Sequence, residues 1–172
     1  MSFAGAANLA PLECRGRNAI EIVEIKVNGN RIDYKDPSKS DLNGYSDKET
    51  RGDGTVDNGD TVGVTFKTKA ACDQYYVQDD GWSNKVTFSA FNASTWFWDP
   101  NGRQTEVMRE QMVYASTEAR TLNIKVPNCF FQIDMYTGDG QDHTPSGYVY
   151  GEDLVVSANG GSGTCQEATA LP

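Results

Sequence analysis

Apolar and polar residues along the chain alternate in short runs with the two-residue period of half-buried strands, and turn-forming clusters separate the runs. The clearest stretch is Thr121-Leu-Asn-Ile-Lys-Val-Pro-Asn-Cys-Phe-Phe-Gln-Ile-Asp-Met-Tyr136. Leu122, Ile124 and Val126 alternate with Asn123 and Lys125, which predicts one strand, and Pro127 ends or bends it. Beyond the break, Cys129, Phe131, Ile133 and Met135 fall on one face, and Phe130, Gln132, Asp134 and Tyr136 on the other. This spacing predicts a second strand with an inward face and a partly aromatic, partly polar outer surface.

Residues 19–27 predict an earlier strand. Ile20 and Ile22 hold one register and Ile25 and Val27 the other, so a β-bulge is expected across Val23-Glu24. Asn28-Gly29 follows at once, a pair that favours a tight hairpin turn, and residues 31–34 are expected to return antiparallel. Residues 35–60 carry almost nothing apolar and read as a long surface loop. Alternation resumes over residues 61–68, with Val62, Val64 and Phe66 inward, and residues 74–78 and 85–91 predict further strands. Thr95-Trp-Phe-Trp98 is strongly β-prone. Helix competes only over residues 104–118, where Val107, Met108, Gln111 and Met112 sit near helical spacing; strand is preferred for 111–116. A last strand is expected over 148–157.

Short strands without a credible long helix predict an all-β fold, an antiparallel sandwich of immunoglobulin-like, Greek-key type. Its domain spans residues 19–165, after an extended arm at 1–18 and before a tail at 166–172. A chain of 172 residues is long enough for one such domain with a real core. Its 24 acidic against 15 basic residues give a net charge of −9 and a pI near 4.5, which argues against nucleic-acid binding. No run approaches the roughly 18 apolar residues of a membrane span.

Four cysteines, Cys14, Cys72, Cys129 and Cys165, lie far apart with no C-x-x-C pair, so zinc-ribbon and thioredoxin-like readings have no support. Two disulfides fit better, in an extracellular, oxidising setting; the competing reading is four buried thiols in a cytosolic protein. Sequence does not choose among the three possible pairings; the expected one is Cys14 with Cys72 and Cys129 with Cys165.

Other chemistry is sparse. Asp53, Asp57 and Asp60 are candidate calcium ligands in an irregular acidic loop, although Arg51 occupies a position where a regular calcium loop needs an oxygen donor. No cofactor is expected, calcium at this loop aside. Arg51-Gly52-Asp53 also spells an adhesion tripeptide, which short Asp- and Gly-rich loops produce by chance. Trp96 and Trp98 would share a strand face and form a platform for sugar rings if that face is exposed; core packing is the competing reading. His143, the single histidine, lies in a polar loop with no nucleophile motif, and the pairs Asp79-Asp80 and Glu152-Asp153 need no catalytic explanation in so acidic a chain. Asn92-Ala-Ser94 is a glycosylation sequon by pattern.

The strings Val126-Pro-Asn-Cys-Phe-Phe-Gln-Ile-Asp-Met135 and Tyr150-Gly-Glu-Asp-Leu-Val-Val-Ser-Ala-Asn-Gly-Gly161, with the closing Cys165, resemble a module that recurs in secreted and wall-anchored proteins of Gram-positive bacteria, especially actinobacteria. Asn58-Gly-Asp-Thr-Val-Gly-Val-Thr-Phe66 and Cys72 look like its earlier half, so the resemblance covers roughly residues 56–165. It implies a β-sandwich cell-surface module of structural or adhesive use, without an enzymatic mechanism. Residues 166–172 do not read as a wall-sorting tail, and the arm at 1–18 has no counterpart in the module. The expected function is therefore an extracellular, non-enzymatic surface-structure or adhesion subunit, with carbohydrate binding through the tryptophan face as the alternative. Its expected partners are other copies of itself, other surface proteins, or glycans. The apolar arm, with Phe3 and Leu9 as its large side chains, is suited to lie as an added strand on another molecule and so to build a head-to-tail filament.

Overall fold

The computed structural model describes residues 11–14, 16–33, 42, 55–76, 85–97, 102, 104–113, 117–138 and 153–165. They form eight strands, β1 (Ile20–Val27), β2 (Asn30–Arg31), β3 (Thr61–Thr68), β4 (Lys85–Ala93), β5 (Gln104–Val113), β6 (Arg120–Lys125), β7 (Phe131–Thr137) and β8 (Leu154–Gly160). Their order is β2-β1-β3-β6 in one sheet and β5-β4-β7-β8 in the other, and every described pairing is antiparallel. The chain changes sheet between β3 and β4, between β5 and β6, and between β6 and β7. This is an immunoglobulin-type Greek key in which β5 extends the second sheet, as variable-type domains extend theirs.

The period-two pattern builds the core directly. Val62, Val64 and Phe66 of β3 and Leu122 and Ile124 of β6 face Val86, Phe88 and Ala90 of β4, with Phe131, Ile133 and Met135 of β7 and Val156 and Ala158 of β8, all buried. Each large side chain of this kind stabilises the fold by about 1.5–3 kcal/mol. The bulge in β1 falls where alternation breaks, with the register shifting between Ile22 and Glu24 and Val23 left over. Asn28 (φ 51°) and Gly29 (φ 83°) both take positive φ, as a two-residue hairpin turn requires.

Several elements differ from expectation, each for a physical reason. Residues 74–78 do not begin a strand: Ala70–Cys72 is a 3-10 turn that runs into one α-helical turn, Asp73–Tyr76. Cys72 is tethered to Cys14 where the chain turns out of the first sheet, and alanines are good helix formers. Nor does helix form over residues 104–109, because β5 pairs with β4 from end to end, one bulge residue aside; tertiary pairing overrides the local preference. A second register shift lies between Ala90 and Phe91 and leaves Val107 of β5 as the extra residue. Residues 94–97 form a bend, not a strand. The polar segment 35–60 is not wholly superficial: Val56 and Leu42 reach the core, and the Leu42 N–H donates to the Ser157 carbonyl of β8 at 2.7 Å. The last strand begins at Leu154; residues 148–152 lie outside the described residues.

The largest correction concerns the outer face of the second sheet. Gln132, Asp134 and Tyr136 are as buried as the core face of β7, together with Thr87, Ser89 and Phe91 of β4 and Ser157 of β8. Gln132 connects this face, accepting from the Gln104 side-chain amide and donating to Asp134 Oδ2 at 2.6 Å. Thr87 Oγ1 donates to the Gly138 carbonyl at 2.7 Å.

Candidate functional site

The pairing pattern sets the two ends of the sandwich. The start of β1 lies beside the end of β3, and the chain crosses from there to the start of β4. At the other end lie the β1–β2 hairpin, the start of β3 and the beginning of β7. Cys14 pairs with Cys72 at the first end, and Cys129 with Cys165 at the second, with Cα–Cα distances of 5.2 and 4.9 Å. The expected connectivity is the observed one, and no cysteine is free. Cys14 ends a 3-10 turn (Leu12–Cys14), and a second turn (Gly16–Ala19) leads into β1. The expected arm is therefore folded, not extended, from Leu12 onward. Phe3 and Leu9 lie outside the described residues.

At the second end the chain is stitched by side chains that the sequence pattern did not single out. Asn28 accepts the Thr61 N–H at 2.9 Å and donates its amide to Asp60 Oδ1 at 2.6 Å. Asp60 Oδ2 accepts the Asp57 N–H at 2.8 Å, and Asp57 Oδ1 accepts the Asn58 N–H at 2.8 Å. The Asn58 side chain exchanges bonds with the backbone of Ser162, and the Lys125 ammonium donates to the Gly59 carbonyl. Asp57 and Asp60, two of the candidate calcium ligands, thus hold a turn. Both Asp60 oxygens already accept N–H groups, and a lysine sits against the loop, whereas calcium takes six to eight oxygens. Asp53 and Arg51-Gly52 lie outside the described residues, among which no group of three or more His, Cys, Asp or Glu is placed to hold a metal.

Gly161 closes this end. At φ 89° it packs so tightly that a Cβ would stand 2.3 Å from the Cys129 carbonyl oxygen and 2.5 Å from Asn58 Oδ1. Gly161→Ala is expected to lower stability by about 3 kcal/mol, through left-handed strain plus this clash. Gly163 has φ 79° and nothing within 4 Å, so Gly163→Ala is expected to lose only the backbone strain, about 1–2 kcal/mol. Urea midpoints of the two variants check this, and equal losses would contradict the packing at Gly161.

Of the two residues of the expected tryptophan platform, only Trp96 is described. Trp96 is half-buried in the bend at residues 94–97 and packs edge-on against Phe97, with ring centroids 5.4 Å apart. Trp96 is therefore not in a strand, and Trp98 lies outside the described residues, as do Asp79, Asp80, His143 and Glu152. Asp153 accepts from Thr137 Oγ1 at 2.9 Å. Asn92 of the sequon is half-buried within β4.

One surface feature had no counterpart in the sequence reading. Strand β2 pairs only with Lys26 and Val27, and a single further bond runs from the Ile32 N–H to the Ile25 carbonyl at 3.0 Å. Among the described residues nothing pairs with the outer edge of β1 from Ile20 to Glu24. Beside this edge lies an open groove of about 370 Å³, lined by Ile22, Val23, Ile25 and Ile32 and by the charged residues Glu24, Arg31 and Asp33. The bulge residue Val23 is 44% exposed there. The chain matches no protein-family model and no curated protein. Among the described residues no helix is long and apolar enough to cross a membrane.

Proposed function

We propose that the protein is an extracellular, non-enzymatic subunit of a surface structure or adhesive assembly, joined head-to-tail through its N-terminal residues. The observation that carries this reading is the pair of disulfides at opposite ends of the sandwich. Disulfides persist in oxidising compartments and are rare where thiols are kept reduced. The acidic surface, with a net charge of −9, suits a solvated exterior. The resemblance to Gram-positive surface modules points the same way. For the non-enzymatic part, the support is that Asp153, the described member of the acidic pairs Asp79-Asp80 and Glu152-Asp153, has a structural task, accepting from Thr137.

Sedimentation velocity of the oxidised chain over a wide concentration range, run beside a tryptophan-fluorescence titration against a polysaccharide panel, tests the reading. Concentration-dependent growth with no glycan response is expected. A monomer whose fluorescence shifts with one glycan would replace this reading with carbohydrate binding through the region of Trp96.

A further inference from the structure

The open edge of β1 has the geometry of an acceptor, and resting on the assembly reading above, we propose that it receives residues 2–10 of a second copy of this chain as an added antiparallel strand. A strand edge is a row of unsatisfied N–H and C=O groups, a template for another extended chain. Here β2 stops after Asn30–Arg31, so on the edge away from β3, among the described residues, β1 has a partner along only its last residues, and the portion from Ile20 to Glu24 has none on that side. Soluble sandwiches usually protect such an edge with charge at its most accessible point. In β1 the acidic residues are already paired: Glu21 with Lys67 at 3.2 Å, and Glu24, which lines the groove, with Lys26 at 2.7 Å. The residue pushed outward by the bulge is the apolar Val23.

The occupant follows from length and composition. Residues 1–10, Met-Ser-Phe-Ala-Gly-Ala-Ala-Asn-Leu-Ala, carry no charged side chain, so they bring no side-chain ion of their own to be desolvated beside Ile22, Val23 and Ile32, and none that repels Glu24, Arg31 or Asp33 of the groove. Extended, ten residues span at most about 33–36 Å, against about 27 Å for the eight residues of β1. Residues 2–10 are thus long enough to pair along the whole of β1. It has no proline to interrupt a ladder, and its small residues let the backbone come close, while Phe3 and Leu9 supply the side chains that fill a groove. The segment joins the described residues at Pro11, next to the Cys14–Cys72 disulfide, and that disulfide fixes its point of attachment. Donor and acceptor are different surfaces, so the contact is heterologous and propagates.

Two full-length variants separate the halves of the contact. Val23→Lys places a charge at the groove while keeping the donor segment, and Phe3→Asp with Leu9→Asp disables the donor while keeping the edge. Val23 is 44% exposed and unpaired across the bulge, so its replacement should leave the fold intact, checked by circular dichroism and melting. By sedimentation, the wild-type chain should form long assemblies, each variant alone should be monomeric, and an equimolar mixture of the two variants should form a one-to-one heterodimer and go no further. A Val23→Lys chain that assembles like wild type would overturn the edge as acceptor and leave the assembly reading standing. A wild-type chain monomeric at every concentration would overturn both. Variants that are each monomeric yet form no heterodimer on mixing would overturn the donor–acceptor pairing.

Discussion

Replacing both cystines by serine pairs, or reducing them, should leave the chain largely unfolded at about 37 °C, with a loss of about 4 kcal/mol per bridge. The bridges close separations of 58 and 36 residues, and the entropy removed from the unfolded chain grows with the logarithm of loop length. A domain of this kind has about 5–15 kcal/mol in total, so two such losses consume most of it. Their positions make the effects nearly independent, since they clamp opposite ends of the sandwich and share no partner. Urea unfolding with and without reductant, on wild type and on each single-bridge variant, measures both terms. Thiol titration of the unfolded, unreduced protein should find none, and four reactive thiols would contradict the pairing together with the exterior assignment.

Ile133→Asp should abolish folding. Ile133 is wholly buried at the centre of β7, flanked by β4 and β8 and facing the first sheet, so the substitution removes its packing and introduces a carboxylate with no partner. The combined cost exceeds about 5 kcal/mol, in the range where single substitutions unfold domains. Its sequence neighbour gives the informative comparison. Alternation alone sets Gln132 on a solvated face, where truncation to alanine would change little. In the structure Gln132 is buried and bridges Gln104 to Asp134, so Gln132→Ala should cost about 1–3 kcal/mol by stripping buried polar groups of a bond. A cooperative Ile133→Asp fold would overturn the core assignment. A Gln132→Ala variant within about 0.5 kcal/mol of wild type would show that the second face is wet.

What could be read in advance was whatever the local pattern determines. Val62, Val64 and Phe66 announced a strand because a sheet buried on one side needs that period, and Asn28-Gly29 announced a turn because both residues tolerate positive φ. The bulge at Val23 was legible for the same reason, as a break of phase. Burial on the second face of β7 was not, because alternation records which residues face apart and not whether another layer excludes water from each side. The helical turn at Asp73–Tyr76 depends on a disulfide joining residues far apart in sequence, and the strand over Gln104–Val113 depends on β4. The groove at β1 was hidden because it exists only through the brevity of β2: the hairpin signal predicts a return but not that pairing ends after two residues.

Hydrogen exchange followed as a function of protein concentration tests the arm-to-edge assembly most directly. If residues 2–10 of one copy seat on β1 of the next, amides in that segment and in the Ile20–Val27 strand should gain protection together, with the same concentration dependence, while the edges at β5 and β8 stay unchanged. Exchange that is identical at every concentration, or protection that appears at β8 instead, would contradict it.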